Sequence, residues 1–366
     1  VFDLKPSEFI KKKRYLPWIV IATTLMNLTW ASVGFSKPYN PILAKEKLPK
    51  VDPKTKKEIP LTKAEQAANV QSKQEKMAIE AIEKKDYTGA LKIYRALSKT
   101  YNNQKISAVI DSRILDVLRL EFEKTGIAIR FQKSLMELAQ KYDNDQMFGA
   151  QNAKIPQKLR SSAQSEHRRL VDRMVKIGVG QKTKLEDRKT SIKVIDTYIG
   201  VYEKKPEHEM LTASKGEIQY LSNDYRGSSS TFQSLATENG PKAGQYWRSA
   251  IRSQRIVAGW PMDPPWSGMK SGQVEAREGL RAMYQSLNRS SDWDTVSHLG
   301  LLDIQLGRQE EAFTMFAALV DSNPKSPNAQ QSVGLMATTY AAEKSWQKLE
   351  DLARLIIKKN IVGMRN

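Results

Sequence analysis

A five-residue turn occurs twice in this chain, as Asp86-Tyr87-Thr88-Gly89-Ala90 and as Asp224-Tyr225-Arg226-Gly227-Ser228. Both copies end on a small residue. Another small residue stands twelve positions earlier in each, Ala78 before Ala90 and Gly216 before Ser228. An aromatic follows at plus four and a leucine at plus seven: Tyr94 and Leu97 in the first copy, Phe232 and Leu235 in the second. Apolar residues four and seven apart share one face of a helix. Each copy therefore reads as the second helix of a hairpin whose two members meet closely at their small residues.

A third stretch, Val296 to Pro324, keeps the register without the turn sequence. Gly300 precedes Ala312 by twelve, Phe316 and Leu319 follow Ala312 by four and seven, and Gly307 marks the turn. Pro324 closes the unit, because proline has no N–H and clashes with the preceding helical turn. After Leu61 the chain is helical almost throughout, with stops at Gly, Asn and Pro and no alternating strand pattern of useful length. Ile106–Phe122 and Ile127–Tyr142 read as a hairpin turning at Gly126. Leu159, Ala163, Leu170, Met174 and Ile177 line one face of the next helix. Val194, Tyr198, Val201 and Pro206 end another unit, and Ser326–Glu343 with Trp346–Lys359 close the array.

This spacing resembles the tetratricopeptide repeat, whose 34-residue period separates Pro206 from Gly240. The resemblance covers Thr62 to Lys359. It implies an all-α, tetratricopeptide-like α-solenoid, a right-handed superhelix of seven to nine helical pairs. One hairpin cannot bury its own face, so several must stack. The family binds peptides in its concave groove, and some members clamp a C-terminal carboxylate with Asn, Lys and Arg. The matching inward positions here, Glu75, Ile79, Ala213, Glu217, Ser297 and Leu301, do not reproduce that clamp.

The N-terminus reads as an export signal. Lys11-Lys12-Lys13-Arg14 precedes an uncharged stretch from Tyr15 to Ser36 with an apolar heart at Leu16–Leu28, and Ala31 is the candidate cleavage position. The same stretch is long enough to remain as a membrane anchor. Either way the bulk of the chain is expected in the periplasm, soluble or tethered to the inner membrane. The expected organisation is a signal or anchor at 1–36, a Pro/Lys-rich linker at 37–61, repeats at 62–256, a Pro/Trp-rich interruption at 257–272, and C-terminal repeats at 273–366.

Composition narrows the chemistry. Cysteine is absent, which removes disulfides, thiol nucleophiles and Cys-based metal sites. The three histidines, His167, His208 and His298, are far apart in sequence and each sits in a helical context. No catalytic, cofactor or metal site is expected, and no enzyme activity. The net charge of +19 favours anionic partners. Gly178-Val179-Gly180-Gln181-Lys182-Thr183 imitates a phosphate-binding loop, but Gln181 breaks the Gly-Lys pair and a helix precedes it where a strand is required.

The candidate partner-binding residues are aromatic and basic. Residues 246–293 hold Trp247, Trp260, Trp266 and Trp293, with Arg248, Arg252 and Arg255 at one-turn spacing on one helix face. Trp247, Ile251 and Ala258 are expected to face elsewhere, toward the core. Trp rings bring contact area and guanidinium brings fixed hydrogen-bond geometry. The alternative for these tryptophans is that they pack the loop against neighbouring helices. A second stripe, Arg169, Arg173 and Lys176, reads as a solvated face or as a further binding site. The expected role is a non-catalytic scaffold or adaptor for envelope proteins or peptide segments. The alternative is binding of an anionic envelope polymer such as cell-wall glycan through the basic, Trp-rich patch. Nucleic acid fits less well, because the N-terminus points to export.

Overall fold

The computed structural model describes residues 41–43, 50–51, 58–59, 61–102, 104–202, 205–238, 240–260, 271–287 and 293–361. The chain divides into two units, Val1–Glu83 and Lys84–Asn366. The signal or anchor segment with Ala31 lies outside the described residues, as does Trp266. Among the described residues no helix is long and apolar enough to cross a membrane.

The first unit holds two short strands and one helix. Strands β1 (Lys50–Val51) and β2 (Glu58–Ile59) pair antiparallel, Lys50 opposite Ile59 and Val51 opposite Glu58. Helix α1 spans Lys63–Glu83. Thr62 and Glu65 form a capping box that fixes its start. The Glu65 carboxylate accepts from Thr62 N at 3.1 Å, and Thr62 Oγ1 accepts from Glu65 N at 3.3 Å. Ser72, Glu75, Ala78 and Ile82 make its buried face. Within the expected linker, Ile42 and Leu43 donate their backbone amides to the Glu75 carboxylate.

The second unit holds thirteen α-helices and one 3-10 turn, Ala150–Asn152, among the described residues. The α-helices are α2 (Tyr87–Thr100), α3 (Lys105–Thr125), α4 (Ala128–Lys141), α5 (Lys154–Gly178), α6 (Leu185–Val201) and α7 (His208–Leu221). Then come α8 (Tyr225–Thr237), α9 (Ala243–Val257), α10 (Ser271–Ser286), α11 (Trp293–Gln305), α12 (Gln309–Ser322), α13 (Pro327–Ala342) and α14 (Trp346–Lys359). Each helix packs mainly on its neighbours in sequence. This is the tetratricopeptide-like α-solenoid that the repeat spacing implies.

The repeated turn has a single backbone solution. Lys85, Asn223, Gly307 and Lys344 all take left-handed backbone, with φ of 59°, 61°, 79° and 57°. Each stands seven residues after the small residue of the first helix: Ala78, Gly216, Gly300 and Ala337. At three of these turns the next residue's N–H closes the helix end. Asp224 N donates to Gln219 O at 2.9 Å, Arg308 N to Asp303 O at 2.7 Å, and Ser345 N to Tyr340 O at 2.9 Å. Asp86 and Asp224 then cap the second helix, accepting from Gly89 N at 2.9 Å and Gly227 N at 3.0 Å. A Cβ at Gly89 or Gly227 would sit 2.8 Å from the Cγ of its own cap. The glycine of the motif is therefore room for the capping carboxylate.

The close helix approach is equally specific. At Gly216 a Cβ would come within 2.9 Å of Phe232, and at Gly300 it would collide with Phe316. Phe232, Trp247, Ile251, Ala258 and Leu280 belong to one core cluster of this unit, and Ile304, Phe316, Val333 and Leu352 to another. Gly126 takes φ of 69° and turns α3 into α4, as its position between two apolar stripes implies, and Phe122 stacks on Phe131 at 5.1 Å.

Candidate functional site

The tryptophan and arginine residues of α9 separate into different environments. Trp247 is 9% exposed and belongs to the core with Ile251 and Ala258. Arg248 is exposed. Arg252 donates to Glu217 Oε2 at 2.6 Å, and its guanidinium lies 3.9 Å above the ring of Tyr220. Arg255 is half-buried and donates through Nε to the Tyr284 hydroxyl at 2.7 Å. The one-turn spacing thus places three guanidiniums along α9, and two of them are engaged by neighbouring helices. Glu217, one of the inward positions named from the repeat register, is one of those partners.

A second grouping was not legible in the spacing. Trp260, at the end of α9, sits 5.6 Å from His298 of α11, and His298 stacks on Tyr284 of α10 at 5.2 Å and 6°. Arg255 joins through its bond to Tyr284, whose ring it also approaches at 5.5 Å. Trp260, His298 and Arg255 are all half-buried. Three consecutive helices meet here, and Trp260 lies just past the end of α9, within the first residues of the Pro/Trp-rich stretch at 257–272. Gly259, with φ of 65°, and the bond from Trp260 N to Arg255 O at 2.9 Å fix the ring's approach. Tyr284 and His298 carry no sequence signal of their own. They become partners only once α10 and α11 are folded beside α9.

The second basic stripe is also partly structural. Arg169 pairs with Glu166 at 2.6 Å one turn away and stays exposed. Arg173 places its guanidinium 4.7 Å over the ring of Phe122, a cation–π contact between α5 and α3. Lys176 is exposed.

His167 fills the gap between Ala163 and Leu170 on the buried face of α5. It is 0% exposed. Gln132 Nε2 lies 2.9 Å from Val194 O, and a carbonyl can only accept, so the amide nitrogen faces it. The same nitrogen lies 2.7 Å from His167 Nε2, which must then accept. The ring proton therefore sits on Nδ1, 3.2 Å from the Tyr202 hydroxyl. Burial disfavours the cation and lowers the imidazole to about 4. This histidine is a neutral, hydrogen-bonded part of the core.

A cleft of about 350 Å³ opens over α3 between α2 and α4, lined by Arg95, Lys99, Asp111, Ile114, Leu138 and Lys141 among others. Its buried carboxylate, Asp111, accepts from Lys141 Nζ and from the Tyr142 hydroxyl, both at 2.6 Å. Burial, together with the neighbouring carboxylate, holds the Tyr142 phenol well above its ordinary range. Within this cleft Lys141 offsets the charge of Asp111, and Arg95 donates to the Ser134 hydroxyl at 3.0 Å.

The segment that imitates a phosphate loop is a helix end. Gly178 lies under Ile218, whose Cγ1 would be 2.9 Å from an added Cβ. The carbonyls of Gly178 and Gly180 accept from Arg188 at 3.2 and 2.9 Å, and Arg188 also holds Leu221 O at the end of α7. Phosphate recognition requires converging N–H groups, and here carbonyls converge on a cation. Among the described residues no group of three or more metal-ligating side chains is placed to hold an ion.

No protein-family model matches the chain, and no curated protein does. Among solved structures the chain is similar to that of PilW, described as a widely conserved type IV pilus biogenesis factor. The two are 14% identical over 72% of this chain and 97% of that one, with a TM-score of 0.28, a likeness that carries no argument for fold or role.

Proposed function

We propose that this chain is a non-catalytic interaction scaffold of the bacterial cell envelope, exported by its N-terminal segment, with a partner surface centred on Trp260, His298 and Arg255 and backed by the buried Tyr284. The observation that carries the reading is the stack where α9, α10 and α11 meet, in which the half-buried rings of Trp260 and His298 rest on the buried Tyr284. Aromatic rings backed by a positioned guanidinium supply large contact area at low entropic cost, the composition of protein-recognition anchors. A solenoid presents such a set on a surface that neighbouring hairpins support. Compartment rests on the Lys11–Arg14 cluster and the apolar stretch behind it.

The glycan alternative draws less support. Arg252 is paired with Glu217, and Arg255 is bonded to a phenol, so α9 offers fewer unengaged cations than its sequence suggests. Purified cell wall serves as the control ligand.

A photo-crosslinking side chain at position 256, which is exposed and follows Arg255 in sequence, tests the proposal in cells. The expected product is a crosslink to an envelope protein that is lost on Trp260→Ala and absent when the probe sits at the exposed Lys158 on α5. Equal capture from both positions, or retention on cell wall alone, would sink the scaffold reading at this surface.

A further inference from the structure

The Glu75 carboxylate is 2% exposed, in the middle of α1. Its partners among the described residues are two backbone amides. Ile42 N donates to Oε1 at 2.6 Å and Leu43 N to Oε2 at 2.7 Å. Both bonds are short, as charge-assisted bonds are. Successive amides of a strand point to opposite sides. Here they converge on one carboxylate, and the chain bends at Ile42 and Leu43. Such a concave pair of amides is an anion-holding nest, and the anion it holds is a side chain of the same polypeptide.

We propose that α1 around Glu75 is a binding site for a bent peptide backbone with one apolar anchor, occupied in this structure by the chain's own Pro41-Ile42-Leu43. The recognition is of backbone. Two consecutive N–H groups are required, so neither amide position can be proline. Proline is allowed immediately before them, where Pro41 stands. The residue at the second amide position supplies the anchor, as Leu43 does by being buried while Pro41 stays exposed. A buried carboxylate stripped of its donors is costly. The site therefore exchanges one peptide for another and does not stand open. The ligand class is a segment of a partner protein carrying Pro, then two non-proline residues of which the second is apolar. Such a segment competes with residues 41–43.

The test uses the full chain and a fluorescein-labelled synthetic peptide of residues 37–47. Ile42→Pro with Leu43→Asp removes one donor and sets a charge against Glu75, which opens the site. The expected result is saturable binding by anisotropy to the opened chain at least about tenfold tighter than to the parent, and loss of that gain on adding Glu75→Ala. Equal binding to parent and opened chain, or a gain that survives Glu75→Ala, would overturn the proposal. Hydrogen exchange on the unmodified chain stands independently of how the variants fold. The Ile42 and Leu43 amides should exchange slowly, and more rapidly once excess unlabelled peptide is added. Fast exchange without peptide, or no response to it, also overturns the proposal.

Discussion

Gly300 lies directly beneath the ring of Phe316. A Cβ on residue 300 would come to 2.6 Å of Phe316 Cε1, in a side chain that is itself fully buried. The pair joins α11 to α12, and Gly216 with Phe232 joins α7 to α8 in the same way.

Gly300→Ala should therefore destabilise the chain by about 1–3 kcal/mol, as overpacking does. Gly200 supplies the contrast. It lies in α6 with open space where its Cβ would be, so Gly200→Ala should stabilise by up to about 1 kcal/mol. Urea midpoints followed by circular dichroism read both. A Gly300→Ala midpoint at or above the parent's would remove the close approach from the account of this fold.

The two capping aspartates should behave alike. Asp86→Ala and Asp224→Ala each lose a side-chain acceptor for a glycine N–H and should cost about 1 kcal/mol. Asp→Asn at either position keeps an acceptor and should be close to neutral. A large, unequal response of the two sites would mean that the repeated cap does not do the same work at the start of α2 and of α8.

Trp247 and Trp260 should separate stability from binding. Trp247→Ala empties part of the core and should cost about 3–5 kcal/mol. Trp260→Ala removes a half-buried ring at the edge of the same core, so it should cost clearly less than Trp247→Ala while removing the crosslink at position 256. The opposite pattern would reverse the assignment of core and surface.

His167 makes the chain sensitive to mild acid. Its imidazole titrates at about 4 when folded, against an ordinary value near 6.5. Between those values the unfolded chain takes up a proton that the folded chain excludes. Stability from this group is thus complete above about pH 6.5 and lost as pH falls toward about 4, a change on the order of 3 kcal/mol. Midpoints at pH 7 and pH 4.5 should fall further in the parent than in His167→Gln. Parallel falls would show that the ring is not held neutral.

The hairpins were legible because a helix period and a tight turn write themselves into local spacing. Asp86 and Asp224 show this most plainly, since the cap, the glycine that makes room for it and the small residue all lie within five positions. The fourth turn of the same geometry, at Lys344, escaped that reading. Leu349 and Ala353 stand where a small residue and an aromatic signal the other units, so the backbone repeats while the sequence does not. The ring set around Trp260 was half legible. Trp260 and Arg255 declare themselves by type, but Tyr284 and His298 reach them only through the packing of three helices. Glu75 was placed on the inward face from register, yet its partners come from 32 and 33 residues away. Nothing local marks Ile42 and Leu43 as those partners.

Arg188 joins two helices that are not consecutive. From the first turn of α6, its guanidinium gathers the Gly178 and Gly180 carbonyls at and just past the end of α5 and the Leu221 carbonyl at the end of α7. Sliding α7 past α5 would break several charge-assisted bonds at once, whereas hairpins touching only through apolar faces can slip by small repacking. Bending compliance is then uneven along Lys84–Asn366. Under load the stretch from Lys154 to Leu221 should move as a rigid block, and flexing should concentrate on either side of it.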